Sequence, residues 1–225
     1  VQGEGGVRPL APAFLEAARA ACDAAGALLI ADEVQCGLGR TGAWSACRQA
    51  GVAPDLVTLA KPLAAGLPLG ALLGREDLAG DLGAGTHGST FGGGPLPCRV
   101  ALAFLDAVEE EGLLDNVRAR GRELREGLAA LAGRTDLIEE VRGRGLMLGV
   151  ALRVEAGPIV KALLRRGVVA GTAGERLVRL LPPFVIGAAD TARFLETFEA
   201  VLREAVTAAR AGSRAAIPAG EGGGR

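Results

Sequence analysis

Histidine is nearly absent from this 225-residue chain: His87 stands alone, and the four cysteines (Cys22, Cys36, Cys47, Cys98) contain no CxxC pair. Metal centres draw on clusters of these residue types, so no metal site is expected and no disulfide framework is suggested. An excess of charge of one sign is missing too. The formal net charge is -1, which offers no electrostatic attraction for nucleic acid or an anionic membrane. No apolar run approaches the roughly 20 residues that a membrane span requires. No charged-then-apolar leader precedes a small-residue cleavage site. A soluble, cytoplasmic protein with reduced thiols is the expectation. No GxGxxG opens a helix after the first apolar strand, which leaves a dinucleotide-binding fold remote, and no internal repeat is present.

Lysine is scarce as well. Lys61 and Lys161 are the only ones, nearly every other cation being arginine. A chain that almost avoids lysine yet keeps one between apolar segments raises the question of what that amine does. The first residue is Val1, inside a Gly-rich VQGEGGVRP stretch with no initiator Met. This start predicts a fragment whose upstream part is missing. With 49% hydrophobic and 23% charged residues, what is present has the composition of an ordinary globular protein.

The apolar spacing predicts a helix over 12–25 stopped by Gly26. The short continuous run from Ala27 to Ala31 has the pattern of a buried parallel strand, and it ends at Asp32-Glu33. A second such run, LVTLA, ends at Lys61, and LGALLG (69–74) is a third candidate strand. In open α/β sheets ligands gather at the carboxyl ends of strands, and Asp32 and Lys61 both stand there. The Gly-rich GTHGSTFGGGP (85–95) leaves many backbone N–H groups able to approach an anion. Helices are expected over 98–111, 114–131, 157–166 and 188–209, with strands at 137–142, 146–152 and 177–181. The tail 211–225 is expected to be disordered. The change from α/β units to an α+β mixture sets an expected domain boundary near residue 97, giving a large domain at 1–97 and a small one at 98–210.

An amine that condenses with an aldehyde must be partly neutral and desolvated, which apolar flanks promote. The words around Lys61 and Asp32 go further. LLIADEVQCGLGRTG, PDLVTLAKPLAAGLPLGA and HGSTFGGGPL occur in that order, with Asp32 and Lys61 29 residues apart. Together with VQGEGGVRP, RGRGLMLG and VRLLPPFVI, they resemble the class III (ornithine-type) aminotransferases over residues 1–205. The likeness is to the C-terminal part of that family, whose main phosphate loop and ring-stacking aromatic lie upstream. It implies an α/β fold of the fold-type I class: part of a large domain with a mostly parallel sheet, then a smaller α+β domain.

The same resemblance implies pyridoxal 5'-phosphate as cofactor and a homodimer with shared active sites. Lys61 would form the Schiff base and shuttle the proton, while Asp32 would face the pyridinium nitrogen. Val34 would pack on the ring, and Gln35 would hydrogen-bond its phenolic oxygen. Thr90 would reach the phosphate of the cofactor held by the neighbouring subunit. Arg179 would take a substrate carboxylate in a bidentate grip, and Glu4 would pair with Arg179 as a gate. His87 is expected to order its loop, Cys36 to pack, and the GRTG turn (39–42) to be structural. Two departures from the family pattern are Gly94, where asparagine is usual, and Pro62 after the lysine, which restricts Lys61.

DEVQCGLGRTG with QGEGGVRP favours the acetylornithine branch: transfer of a terminal amino group from N-acetylornithine or a related ω-amino acid to 2-oxoglutarate, giving a semialdehyde and glutamate. A 4-aminobutyrate aminotransferase and a non-catalytic fragment are the alternatives. A glutamate-semialdehyde aminomutase is disfavoured, since methionine is usual there at the position of Gln35. By itself the chain is expected to bind cofactor poorly.

Overall fold

The computed structural model describes residues 1–215. Helix α1 (Pro12–Ala25) starts on a proline, whose missing N–H is no loss in a first turn. It stops at Gly26, where a φ of 63° returns the N–H to the carbonyls of Asp23 and Cys22. Then come β1 (Ile30–Asp32), α2 (Ala46–Gln49), β2 (Leu56–Leu59), β3 (Ala71–Gly74) and a 3-10 stretch over Glu76–Leu82. Strands β1 and β2 run parallel with Asp32 opposite Thr58, and β3 returns antiparallel on β2.

The first sheet is therefore mixed, in the order β1-β2-β3, which corrects the expected mostly parallel arrangement. The cause is the connection. Between Leu59 and Ala71 the chain makes turns and no helix, whereas a parallel return needs a crossover of roughly a dozen residues or more. The expected burial of the first strand is also not met. Leu28 is 46% and Ile30 56% exposed, and neither joins the small core of Leu38, Leu63 and Ala101, which packs against Leu59 and Ala71. Asp55 fastens the entry of the sheet: its carboxylate accepts from Leu29 N at 2.7 Å and Arg19 Nη1 at 2.6 Å.

The second sheet is antiparallel throughout, in the order β4-β5-β7-β6, from β4 (Ile138–Arg144), β5 (Met147–Leu152), β6 (Gly171–Thr172) and β7 (Leu177–Leu180). It packs with α3 (Pro95–Glu110), α4 (Leu113–Ala132), α5 (Ala156–Arg165) and α6 (Ala188–Ala215) around the main core. Helix α4 buries Val117, Leu124, Leu128 and Leu131, a spacing that keeps them on one face. Strand β5 serves two cores. Leu148, Val150 and Leu152 join Phe198 and the helices, while Met147 joins Val7, Cys36 and Leu177. The boundary expected near 97 falls in the first turn of α3, and α6 continues to Ala215, past its expected end at 209. From residue 216 on, the tail expected to be disordered lies outside the described residues.

Arg40 of the GRTG turn ties the two sheets together. Its Nη1 donates to Pro182 O at 2.5 Å and Leu146 O at 3.4 Å, and its guanidinium lies 4.5 Å from the centre of the Phe184 ring. Burial lowers its pKa to about 10. Arg40 stays charged at neutral pH all the same. Arg142 adds a second tie through its Nε, 2.6 Å from Gly6 O.

Candidate active site

Two strand ends and one loop converge on a cavity of about 460 Å³. Asp32 and Lys61 both line it, the first closing β1 and the second following β2 after Ala60. Because β1 and β2 are parallel neighbours, both residues are delivered to the same edge of the sheet. Glu4, Glu33, Val34 and Gln35 share the lining.

The carboxylate of Asp32 is held on one side. Its Oδ1 accepts from Val34 N at 3.1 Å and Thr58 Oγ1 at 3.3 Å, and Oδ2 accepts nothing among the described residues. Directly after it, Glu33 turns inward and is 3% exposed. Its carboxylate accepts from Ser45 Oγ at 2.6 Å, Ala46 N at 2.9 Å and Cys47 N at 2.8 Å. The start of α2 thereby anchors the segment that carries Asp32, Val34 and Gln35. Gln35 places Nε2 3.5 Å from Glu4 Oε1, and its Oε1 is buried without a partner among the described residues.

Glu4 forms an ion pair with Arg179 of β7. The hydrogen bond and charge of Arg179, aided by Gln35 and Lys61, hold the Glu4 carboxyl below the usual carboxylate range. Arg179 does not line the Lys61 cavity; it reaches its edge through Glu4 and lines a separate apolar cleft with Leu181 and Val185. Thr90 is exposed in its loop and lies outside the cavity. His87 Nδ1 is 3.0 Å from Thr86 Oγ1, a contact within its own loop. Cys36 is 2% exposed, and burial raises its thiol pKa. Gly94 sits at the N-cap of α3, where glycine is tolerated. Among the described residues no group of His, Cys, Asp and Glu is placed to hold a metal ion, and no helix is long and apolar enough to cross a membrane.

Three contributors escaped the sequence reading. Thr58 is one polar residue inside an apolar strand, and its contact with Asp32 exists only through the β1–β2 register. Glu33 followed Asp32 as a second carboxylate with nothing to separate their roles. Arg144 lines the cavity from the end of β4, a neighbour that strand pairing alone provides.

The profile of the family described as "Aminotransferase class-III" matches residues 1–202. The chain belongs to the class-III aminotransferases. It is 45% identical over 205 residues to acetylornithine aminotransferase 1 of Bordetella pertussis, covering 91% of this chain and 52% of that one. Among solved structures, the acetylornithine aminotransferase of Elizabethkingia anophelis superposes with a TM-score of 0.84 at 34% identity, over 90% of this chain and 52% of that one. The ornithine aminotransferase of Toxoplasma gondii, crystallised with oxidised glutathione and partial PLP occupancy, gives 0.85 at 35% identity, over 91% and 49%. The two-sheet α/β architecture is thus that of the fold-type I aminotransferases. The chain spans about half the length of the curated relatives it matches.

These matches correct the sequence reading on one point. The likeness was confined there to a C-terminal part, whereas the profile begins at residue 1 and the relatives align over 83–95% of the chain. Membership in the class-III aminotransferases is therefore a property of this chain as a whole.

Proposed function

We propose that this class-III aminotransferase chain works with pyridoxal 5'-phosphate, moving the terminal amino group of N-acetylornithine or a related ω-amino acid to 2-oxoglutarate. The products would be a semialdehyde and glutamate. The observation that carries the reading is the single cavity shared by Lys61 and Asp32, an amine and a carboxylate fixed at adjacent strand ends. The residues fit the cofactor. Among the described residues, both bonds to Asp32 go to Oδ1 and leave Oδ2 open, and the buried Gln35 amide oxygen lacks a partner. When bound, pyridoxal phosphate supplies an aldehyde for amines and a protonated ring that accepts an electron pair from the substrate carbon.

Lys61 is the amine that would hold the cofactor and afterwards move the proton at the substrate's reacting carbon. Asp32 would keep the ring nitrogen protonated, with Thr58 and Val34 N–H steadying its other oxygen. Val34 and Gln35 would orient the ring, Gln35 through its amide. Arg179 would bind a substrate carboxylate after Glu4 releases it, a grip suited to a planar guanidinium. Thr90, exposed on its loop, would serve the phosphate site of a second subunit, which makes a homodimer part of the proposal. The division into domains at 1–97 and 98–210, and a cytoplasmic location, belong to the same reading. The acetylornithine aminotransferases among the relatives favour that donor over 4-aminobutyrate.

The test is borohydride reduction of the full polypeptide that the organism makes, after incubation with pyridoxal phosphate, followed by peptide mapping. A pyridoxyl label on Lys61 is expected. A folded protein labelled elsewhere, or unlabelled, overturns the assignment.

A further inference from the structure

A second cavity, of about 240 Å³, is lined by Thr41, Arg118, Arg122, Arg125 and Arg144. The three arginines of α4 stand at i, i+4 and i+7, which sets them on one helix face. Arg144 is the last residue of β4, beside the β4–β5 turn, and Thr41 comes from the GRTG turn. Close backbone packing brings these three elements together. A Cβ on Gly121 would lie 2.5 Å from Gly145 O, and one on Gly145 would lie 2.6 Å from the Thr41 carbonyl carbon.

One of the four guanidinium groups is already engaged. Arg118 donates to the Gly42 carbonyl and pairs with Asp115. Arg122, Arg125 and Arg144 form no ion pair among the described residues. Thr41 is 3% exposed, and its Oγ1 has no hydrogen-bond partner among the described residues. Buried hydroxyls are ordinarily satisfied, so this one marks a place where an acceptor is wanted. Among the described residues, three unpaired cations and an unpaired hydroxyl around a small cavity form a donor set with no acceptor.

We infer that this cavity binds a phosphate-type oxyanion, either free phosphate or the phosphoryl group of a small metabolite. The arginines meet its negative oxygens through charge-assisted hydrogen bonds, and the Thr41 hydroxyl supplies a neutral donor. The site is separate from the proposed cofactor site but shares Arg144 with the Lys61 cavity. Anion binding here does not depend on the catalytic assignment.

The experiment is calorimetric titration of the full chain with inorganic phosphate, against sodium chloride at matched ionic strength. A parallel titration uses glycerol 3-phosphate. Saturable binding of one phosphate per chain is expected. The exposed pair Arg122→Gln/Arg125→Gln, which leaves the core untouched, is expected to weaken it roughly tenfold or more. Thr41→Val, nearly isosteric, is expected to weaken it less, and Lys61→Ala to leave it intact. Tighter binding of glycerol 3-phosphate identifies a metabolite's phosphoryl group, and tighter binding of inorganic phosphate identifies the free ion. Binding no stronger than chloride, or unchanged in both the double variant and Thr41→Val, overturns the proposal. Loss in Lys61→Ala would overturn it too, by moving the phosphate to the other cavity.

Discussion

Asp55 accepts from Arg19, Arg75 and Leu29 N while its side chain is only 5% exposed. Arg19 first, then the Leu29 N–H and the charge of Arg75, hold its carboxyl below the usual carboxylate range. A depressed carboxyl pKa contributes stability that is complete above the unfolded value near pH 4 and lost as pH falls through the lower folded value. Asp55→Asn is therefore expected to lower the urea midpoint at pH 7. The gap to the unaltered protein should close below about pH 4, and a gap constant with pH would show that the charge is immaterial. Thr58 makes a prediction on activity. Thr58→Val removes one of the two bonds on Asp32 Oδ1, and a hydrogen bond to a charged group corresponds to roughly 10–100-fold. The loss should appear in kcat with the melting temperature little changed, and an unaltered kcat would mean that Val34 N–H suffices.

Elements meet through glycines for different reasons, and one substitution made twice separates them. At Gly26 a Cβ has open space around it but the φ is 63°, whereas at Gly121 in α4 a Cβ would strike the Gly145 carbonyl. Gly26→Ala is expected to cost about 1 kcal/mol from the left-handed backbone alone. Gly121→Ala is expected to cost about 2–3 kcal/mol through overpacking, despite the helix preference for alanine. Equal costs from chemical denaturation would mean that α4 moves away freely. Most helix bounds were legible in the chain because caps and apolar periodicity agree, as with Pro12 and Gly26 of α1. Strand β6 was not legible. Two residues carry no period, and Gly171–Thr172 are paired only because β7 lies beside them.

Across the whole molecule the tie that matters is Arg40, which joins the GRTG turn to the Pro182 and Leu146 carbonyls and the Phe184 ring. Arg40→Met keeps much of the apolar stem but strands two carbonyls, for an expected loss of roughly 2–4 kcal/mol. Unfolding followed by two probes, Trp44 fluorescence and helical ellipticity, should show whether the two sheets still melt together. Coincident transitions at an unchanged midpoint would mean that Arg142 and the shared cores carry the coupling by themselves.

The family, the pairing of Asp32 with Lys61 as a candidate unit, and the helical face of α4 were determined by local sequence. Each rests on residues near one another in the chain or on words that survive in order. The tertiary structure alone decided the rest. Loop length turned β3 back antiparallel, and the strand register put Thr58 on Asp32. The β4–β5 pairing carried Arg144, at the end of β4, to both cavities, and Thr90 stayed outside the Lys61 cavity. These are contacts between segments far apart in sequence, set by backbone pairing and by the close approach of Gly121 to Gly145, and no periodicity within a single segment encodes them.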